Sequence, residues 1–345
     1  MSVSGSSGSG DVREAGNIDV SRVQGDAGAG PATGQGTATG VGRDRAGGEQ
    51  RMVPKGKPRS YYDQPVVKRP VWTWEIPCYF FVGGMAGASA PLAWAAATTG
   101  NERLAKRAWG VALAGVAVSP ALLISDLGRP ERFLNMLRVF KITSPMSVGS
   151  WILAANGTLI APAALAALTR RAPRIFGAAG PLAALAGPGL STYTAVLVAN
   201  SAIPVWSEAR RTLPFLFAAG SAASAGAAVT LLTPAAAAGP ARRLAIAGGV
   251  AELVAAQTME RKLGDAARPY ESGTPGRLAK AAKAMSAAGA ATMAIGRRRR
   301  GAVRIGAGLL LAGAACERWA VYKAGFASAA DPAYTVGPQR DRLEH

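Results

Sequence analysis

From about residue 59 onward the sequence repeats one alternation: a run of apolar and small residues roughly 20 long, then a short polar loop rich in arginine and lysine. Eight such runs fall at about 76–99, 107–126, 146–168, 176–200, 212–233, 241–259, 278–296 and 302–322. Each matches the roughly 20 residues that a helix needs to cross the hydrocarbon core of a bilayer. The pattern therefore predicts an all-α fold, a polytopic transmembrane helix bundle of about eight spans with both chain ends on one side. Two runs are weaker. Gly187, Pro188 and Gly189 interrupt the fourth, which leaves its ends open, and the seventh carries Lys280 and Lys283 at one end. Six or seven spans are the alternative count.

The flanks read differently. Residues 1–58 are Gly, Ala and Ser with scattered charges, and no apolar block among them could form a signal-peptide core or bury a fold. A disordered tail is expected there, with a docking arm as the functional alternative. The division predicted is a tail over 1–58, a membrane domain over 59–325 and a polar C-terminal tail over 326–345.

Composition sharpens the membrane reading. Of 345 residues, 49% are hydrophobic but only 6% aromatic, because glycine and alanine supply much of the apolar content. Small residues of this kind let helices approach closely in lipid, where no hydrophobic drive exists between them; Gly83 and Gly87 form one such spacing, for which ordinary packing is the expectation. The formal charge of +19 comes from 39 Lys and Arg against 20 Asp and Glu, mostly placed between the apolar runs. That placement is the signature of basic loops holding a membrane topology, and no nucleic-acid partner is expected.

What the sequence lacks narrows its chemistry. The single histidine is His345, so no pair of buried imidazoles exists to hold a haem. Cys78 and Cys316 stand far apart, without the spacing of an iron–sulfur or zinc site, and are expected to pack as small apolar residues. No P-loop, GxSxG or histidine-based catalytic set is present. No metal site and no catalytic residue of the chain's own are predicted, so its chemistry rests on organic ligands or partner proteins.

Polar residues within the apolar runs are then the informative ones, since an ionisable group at membrane depth is costly and faces a cavity or partner. Glu75 enters the first run, in "WTWEIPCYFFVGGMAGAS", with Tyr79 one helical turn deeper. Asp126 closes the second. Asn156 lies in the third, Tyr193 and Asn200 in the fourth, Glu252 near the middle of the sixth, and Glu317 beside Arg318 in the eighth. For Glu75 and Asp126 a wet interfacial carboxylate is an equal alternative, and for Glu252 a structural hydrogen bond to another helix rivals proton handling. After Asp126, Arg132, Asn135, Arg138 and Lys141 recur at intervals of three while Phe133, Leu137 and Phe140 take another face. This spacing predicts a short amphipathic helix on the membrane surface, whose simplest role is anchoring to lipid headgroups.

Four blocks together, "WTWEIPCYFFVGGMAGAS", "DLGRPERFLNMLRVFKITSPMSVGSW", "LPFLFAAGSAASAGAA" and "DPAYTVGPQRDR", resemble the NrfD family, the polysulfide-reductase-type membrane subunits. The likeness runs from about Ser60 to the end. It implies a haem-free, eight-helix subunit of the cytoplasmic membrane that binds a quinone, usually menaquinone, near one face. There such subunits meet a ferredoxin-like subunit with 4Fe–4S clusters, which connects to a catalytic subunit, often a molybdopterin oxidoreductase. On that reading Glu75, Tyr79 and Asp126 are candidates for the polar side of the quinone pocket, with Trp72, Trp74 and Arg129 shaping its rim. By the eight-span count Glu75, Asp126 and the surface helix share the side of the termini. The loops of the other face carry Arg103, Lys106, Arg107, Arg170, Arg171, Arg174, Arg242, Arg243 and Arg297 to Arg300, which makes that face cytoplasmic by the positive-inside rule, although the site-side loops are basic too. A proton-translocating quinone subunit is the near alternative, with Glu252 and Asn156 on a path across the membrane. A solute transporter is the more distant one, and no repeat of the Trp72 or Asp126 blocks supports it.

Overall fold

The computed structural model describes residues 66–127, 131–169, 171, 173–296 and 298–336. The predicted N-terminal tail, Arg129 and the last residues of the C-terminal block lie outside the described residues. Among those described, eight helices reach 20 residues or more: α1 (Glu75–Thr98), α2 (Glu102–Asp126), α4 (Pro145–Thr169), α5 (Pro173–Ala199), α7 (Leu213–Leu232), α8 (Gly239–Leu263), α9 (Gly273–Ile295) and α10 (Arg300–Ala330). Two short helices, α3 (Arg132–Met136) and α6 (Pro204–Glu208), lie between them, and two 3-10 turns, Ala209–Arg211 and Gly264–Tyr270, complete the connections.

The fold is all-α, and each of the eight apolar runs holds one long helix. Their ends are set locally. The α1–α2 turn forms because Gly100 takes a left-handed backbone (φ +76°) that a side chain would strain, and because the Asn101 side chain accepts from the Leu104 amide at 3.3 Å to cap α2. Hence α2 begins at Glu102, several residues before its apolar run. α10 continues for 31 residues to Ala330, through the boundary predicted at residue 325.

Two sequence expectations need correction. α5 runs unbroken from Pro173 to Ala199 with Pro181 and Pro188 inside it. A proline removes one N–H and frees one carbonyl, and hydroxyl side chains and neighbouring helices can re-satisfy such groups in lipid. Beside Pro188, Thr192 donates to the Pro188 carbonyl at 2.9 Å and Ser191 to the Gly84 carbonyl of α1 at 3.0 Å, bonds that tie this stretch to its own turn and to α1; neither reaches Ala184, whose carbonyl Pro188 frees. The surface helix is also shorter than its spacing predicted: α3 stops at Met136, so Arg138 and Lys141 lie beyond it.

Packing divides the helices into two groups of four. α1 packs on α2 and α5, and α4 packs on α2 and α5; α7 packs on α8 and α10, and α9 on α8 and α10. α7 against α1 and α5 joins the groups, with α10 touching α1. The α1–α5 crossing shows why small residues dominate: a methyl on Gly87 would strike the Gly187 carbonyl oxygen, and one on Gly187 would strike that of Gly87. Lipid is the surrounding this exterior suits, with Leu185, Val254, Ile295 and Ile305 all exposed.

Among the described residues, five helical segments are long and apolar enough to cross a membrane: Glu75–Thr98, Glu102–Asp126, Pro145–Thr169, Gly177–Ala199 and Leu213–Leu232. The remaining three long helices match a span in length, at 25, 23 and 31 residues, but carry more charge. Part of that charge is turned inward, since Glu252, Glu317 and Arg318 are all buried.

Candidate functional site

At one end of the first group, α1 and α4 begin where α2 and α5 finish, and a cavity of about 50 Å³ opens between them. The segment leading into α1 builds one wall. Thr73 donates twice to Asp126 Oδ1, from its amide at 3.0 Å and its hydroxyl at 2.8 Å. The carboxylate that ends α2 thereby fixes how the chain enters α1. The same hydroxyl reaches the Glu75 carboxylate, so Thr73 stands between two acids with one hydroxyl hydrogen to offer. Trp72 stacks on Trp206 at 5.6 Å and 21°, and its carbonyl accepts from the Tyr322 hydroxyl at 2.5 Å. Trp206 in turn donates to the Val321 carbonyl at 2.8 Å, which locks α6 and α10 onto this entrance.

Deeper in the cavity, the hydroxyls of Tyr79 on α1 and Tyr193 on α5 hydrogen-bond to each other. The Tyr193 ring fits only because Gly149 has no side chain, as a methyl there would overlap it. Phe80, Ile76, Leu123 and Leu197 give the apolar walls. Met136 from α3 and Met146 from α4 complete them, with Ser150 Oγ 3.6 Å from Met136 Sδ. The arrangement is an apolar slot with phenol and carboxylate groups on its wall, covered by flexible thioethers.

Of the candidates named from sequence, Trp72, Tyr79 and Asp126 line this cavity together. Glu75 does not line it and connects through Thr73. Trp74 is 57% exposed and outside the lining. Arg129 lies outside the described residues. Tyr193, Met136 and Met146 were not singled out as site residues from sequence; a tyrosine in an Ala- and Gly-rich run was the one visible signal.

A second polar cluster lies buried in the other group. Ser286 on α9 donates to Glu252 Oε2 at 3.0 Å, while Glu252 Oε1 is buried without a partner. Across Gly220, Arg318 Nη2 donates to the Phe217 carbonyl at 2.7 Å and to Ser221 Oγ at 3.3 Å, with its guanidinium 4.0 Å above the Phe217 ring. Arg318 Nε and Nη1 have no partner. Glu317 is buried next to it, and Lys283 pairs with Glu260 at 2.5 Å nearer one end. In the turn between α8 and α9, burial pushes the Tyr270 phenol well above its ordinary range, and the Glu317 and Glu260 carboxylates push it the same way. Asn156 is far from this set in the packing: it sits on α4 in the first group, its Nδ2 donating to the Ile152 carbonyl at 2.9 Å and its Oδ1 buried without a partner. The structure therefore does not bring Asn156 and Glu252 together. Among the described residues, no three His, Cys, Asp or Glu side chains converge as metal ligands, and both cysteines are free and half-buried.

Over residues 64–261, more than half of the chain, the sequence matches the family described as polysulphide reductase, NrfD. The matched region contains every described residue of the cavity lining and Glu252, and it leaves out α9 and α10. No curated protein matches the chain.

Proposed function

The chain belongs to the polysulphide reductase NrfD family, and from that premise we propose that it is a haem-free membrane anchor subunit whose cavity beneath Met136 and Met146 receives the head group of menaquinone. As a multi-pass membrane protein, it sits on this reading in the cytoplasmic membrane. It exchanges electrons with a ferredoxin-like 4Fe–4S subunit, which serves a molybdopterin-type catalytic subunit. The single observation that supports the reading most is that Trp72, Tyr79 and Asp126 line one cavity.

The bound quinone supplies the redox chemistry, taking up or releasing two electrons and two protons. The residues do the rest. Tyr79 and Tyr193 have two hydroxyl hydrogens and spend one on each other, which leaves one to donate to a quinone oxygen. Asp126 holds or accepts a proton at the wall, and Thr73 and the half-buried Glu75 link it to the aqueous surface. Ile76, Phe80 and Leu123 exclude water around the ring. At about 50 Å³ the cavity is smaller than a head group, so the ring is admitted by displacement of Met136 and Met146, whose unbranched thioethers repack readily.

Turnover of a menaquinol analogue by the solubilised complex, normalised to assembled complex, tests this. Asp126→Asn keeps the acceptor for Thr73 but not the proton chemistry and should lower turnover about 100-fold. Tyr79→Phe should cost about tenfold, and Glu75→Gln only a few-fold because it acts through Thr73. Wild-type rates in both Asp126→Asn and Tyr79→Phe would remove the site from this cavity.

A second reading has its own support. The buried Glu252, Glu317 and Arg318, with unpartnered polar atoms on Glu252 and Arg318, suit a proton-translocating version of the same subunit. Charges at this depth carry a cost that structure alone does not require. Asn156, in the other helix group, is not part of that cluster.

A further inference from the structure

At the end of the bundle away from the quinone cavity, the C-terminus of α7 meets the starts of α8 and α10 around a cavity of about 240 Å³. Arg242, Arg298, Arg300 and Arg304 stand on its wall, and no acidic residue does. Thr233 lines it as well: it is 7% exposed and its hydroxyl is buried without a hydrogen-bond partner. A buried hydroxyl left unpaired costs free energy, so this one is poised for an acceptor brought from outside. Arg298 also borders an adjoining groove between α9 and α10, whose other walls include Ala288, Ala291, Ile295 and Ala302. Ile295, on the wall of that groove, is 85% exposed. A cationic chamber that continues into an apolar groove fits a ligand with an anionic head and a hydrocarbon tail.

We propose that this end of the bundle binds an anionic phospholipid, its phosphate in the arginine chamber with the Thr233 hydroxyl donating to it and an acyl chain along the α9–α10 groove. The position agrees with the chemistry. α7 is one of the segments apolar enough to span the membrane, so its C-terminus at Leu232 lies where headgroups are. Arginine presents planar N–H pairs that match phosphate oxygens, and basic pockets between transmembrane helices are a recurring headgroup site. Free phosphate shares the head chemistry but has no use for the groove, which is why the lipid is the occupant chosen.

The test uses the delipidated full-length chain in detergent, titrated with phosphatidylglycerol, phosphatidylcholine or inorganic phosphate and read by native mass spectrometry. Phosphatidylglycerol should be retained about tenfold over phosphatidylcholine, and the preference should fall about fivefold for each of Arg298→Gln and Arg304→Gln. Thr233→Val should weaken retention while Thr233→Ser preserves it. Arg103→Gln with Lys106→Gln, charges of the α1–α2 end outside the chamber, should change nothing. Equal retention of the two lipids by the unmodified chain overturns the proposal without recourse to any variant. So does unchanged retention in the Arg298 and Arg304 variants, an equal loss in the Arg103 and Lys106 control, or inorganic phosphate retained as strongly as phosphatidylglycerol.

Discussion

Asp126 and Glu252 carry the same functional group into opposite surroundings. Asp126 ends a helix, is half-buried and is held by Thr73 twice, so its carboxylate stays within reach of water. Glu252 is 3% exposed and has one hydrogen bond, from Ser286, with Arg318 across Gly220. If it relays protons, Glu252→Gln in reconstituted proteoliposomes should leave quinone turnover within about twofold of wild type while protons moved per turnover fall towards zero. If its carboxylate only ties α8 to α9, the variant should instead lower the yield of assembled protein at unchanged stoichiometry. How far such residues were legible depends on where their partners lie. Glu75 was conspicuous beside two tryptophans, yet as the first residue of α1 its side chain turns to Thr73 and leaves the cavity to Tyr79. Tyr193 meets Tyr79 across 114 residues of sequence, and no local spacing announces such a pair.

Among the elements, α1 and α5 depend most on close approach. Alanine in place of glycine within a helix ordinarily stabilises by roughly 0.5–1 kcal/mol. At Gly87 the added methyl meets the Gly187 backbone, which cannot retreat as a side chain could. Gly87→Ala should therefore lower stability by about 1–3 kcal/mol, whereas Gly157→Ala on α4, with nothing within 4 Å of the new methyl, should be neutral or stabilising. Detergent-solubilised thermal denaturation of the two variants checks the sign of each; equal shifts would mean that the crossing does not constrain the bundle. The alternation of apolar runs and basic loops located the eight long helices among the described residues, although only five of them are apolar enough to cross a membrane by hydropathy. It could not show that α5 continues through Gly187–Pro188–Gly189, where Gly187 packs against Gly87 of α1 and Ser191 bonds the Gly84 carbonyl. Nor could it show that α3 ends at Met136, where the three-residue spacing runs on but the helix does not.

The whole molecule separates two kinds of chemistry between two groups of four helices. The small cavity with Tyr79, Tyr193 and Asp126 opens at one end of the first group, and the charged cluster of Glu252, Glu317 and Arg318 is buried in the second. This division was not legible in advance, because the halves share no repeated motif and the grouping is decided by which helix faces meet. Quinone binding in the cavity beneath Met136 and Met146 can be read from a photoreactive menaquinone analogue cross-linked to the membrane-embedded complex, followed by peptide mapping. Labels are expected on the segments 72–80, 123–150 and 190–197, competed away by unlabelled menaquinone and weakened by Asp126→Asn. Competable labelling confined to α8, α9 and α10, with those three segments clean, would contradict it.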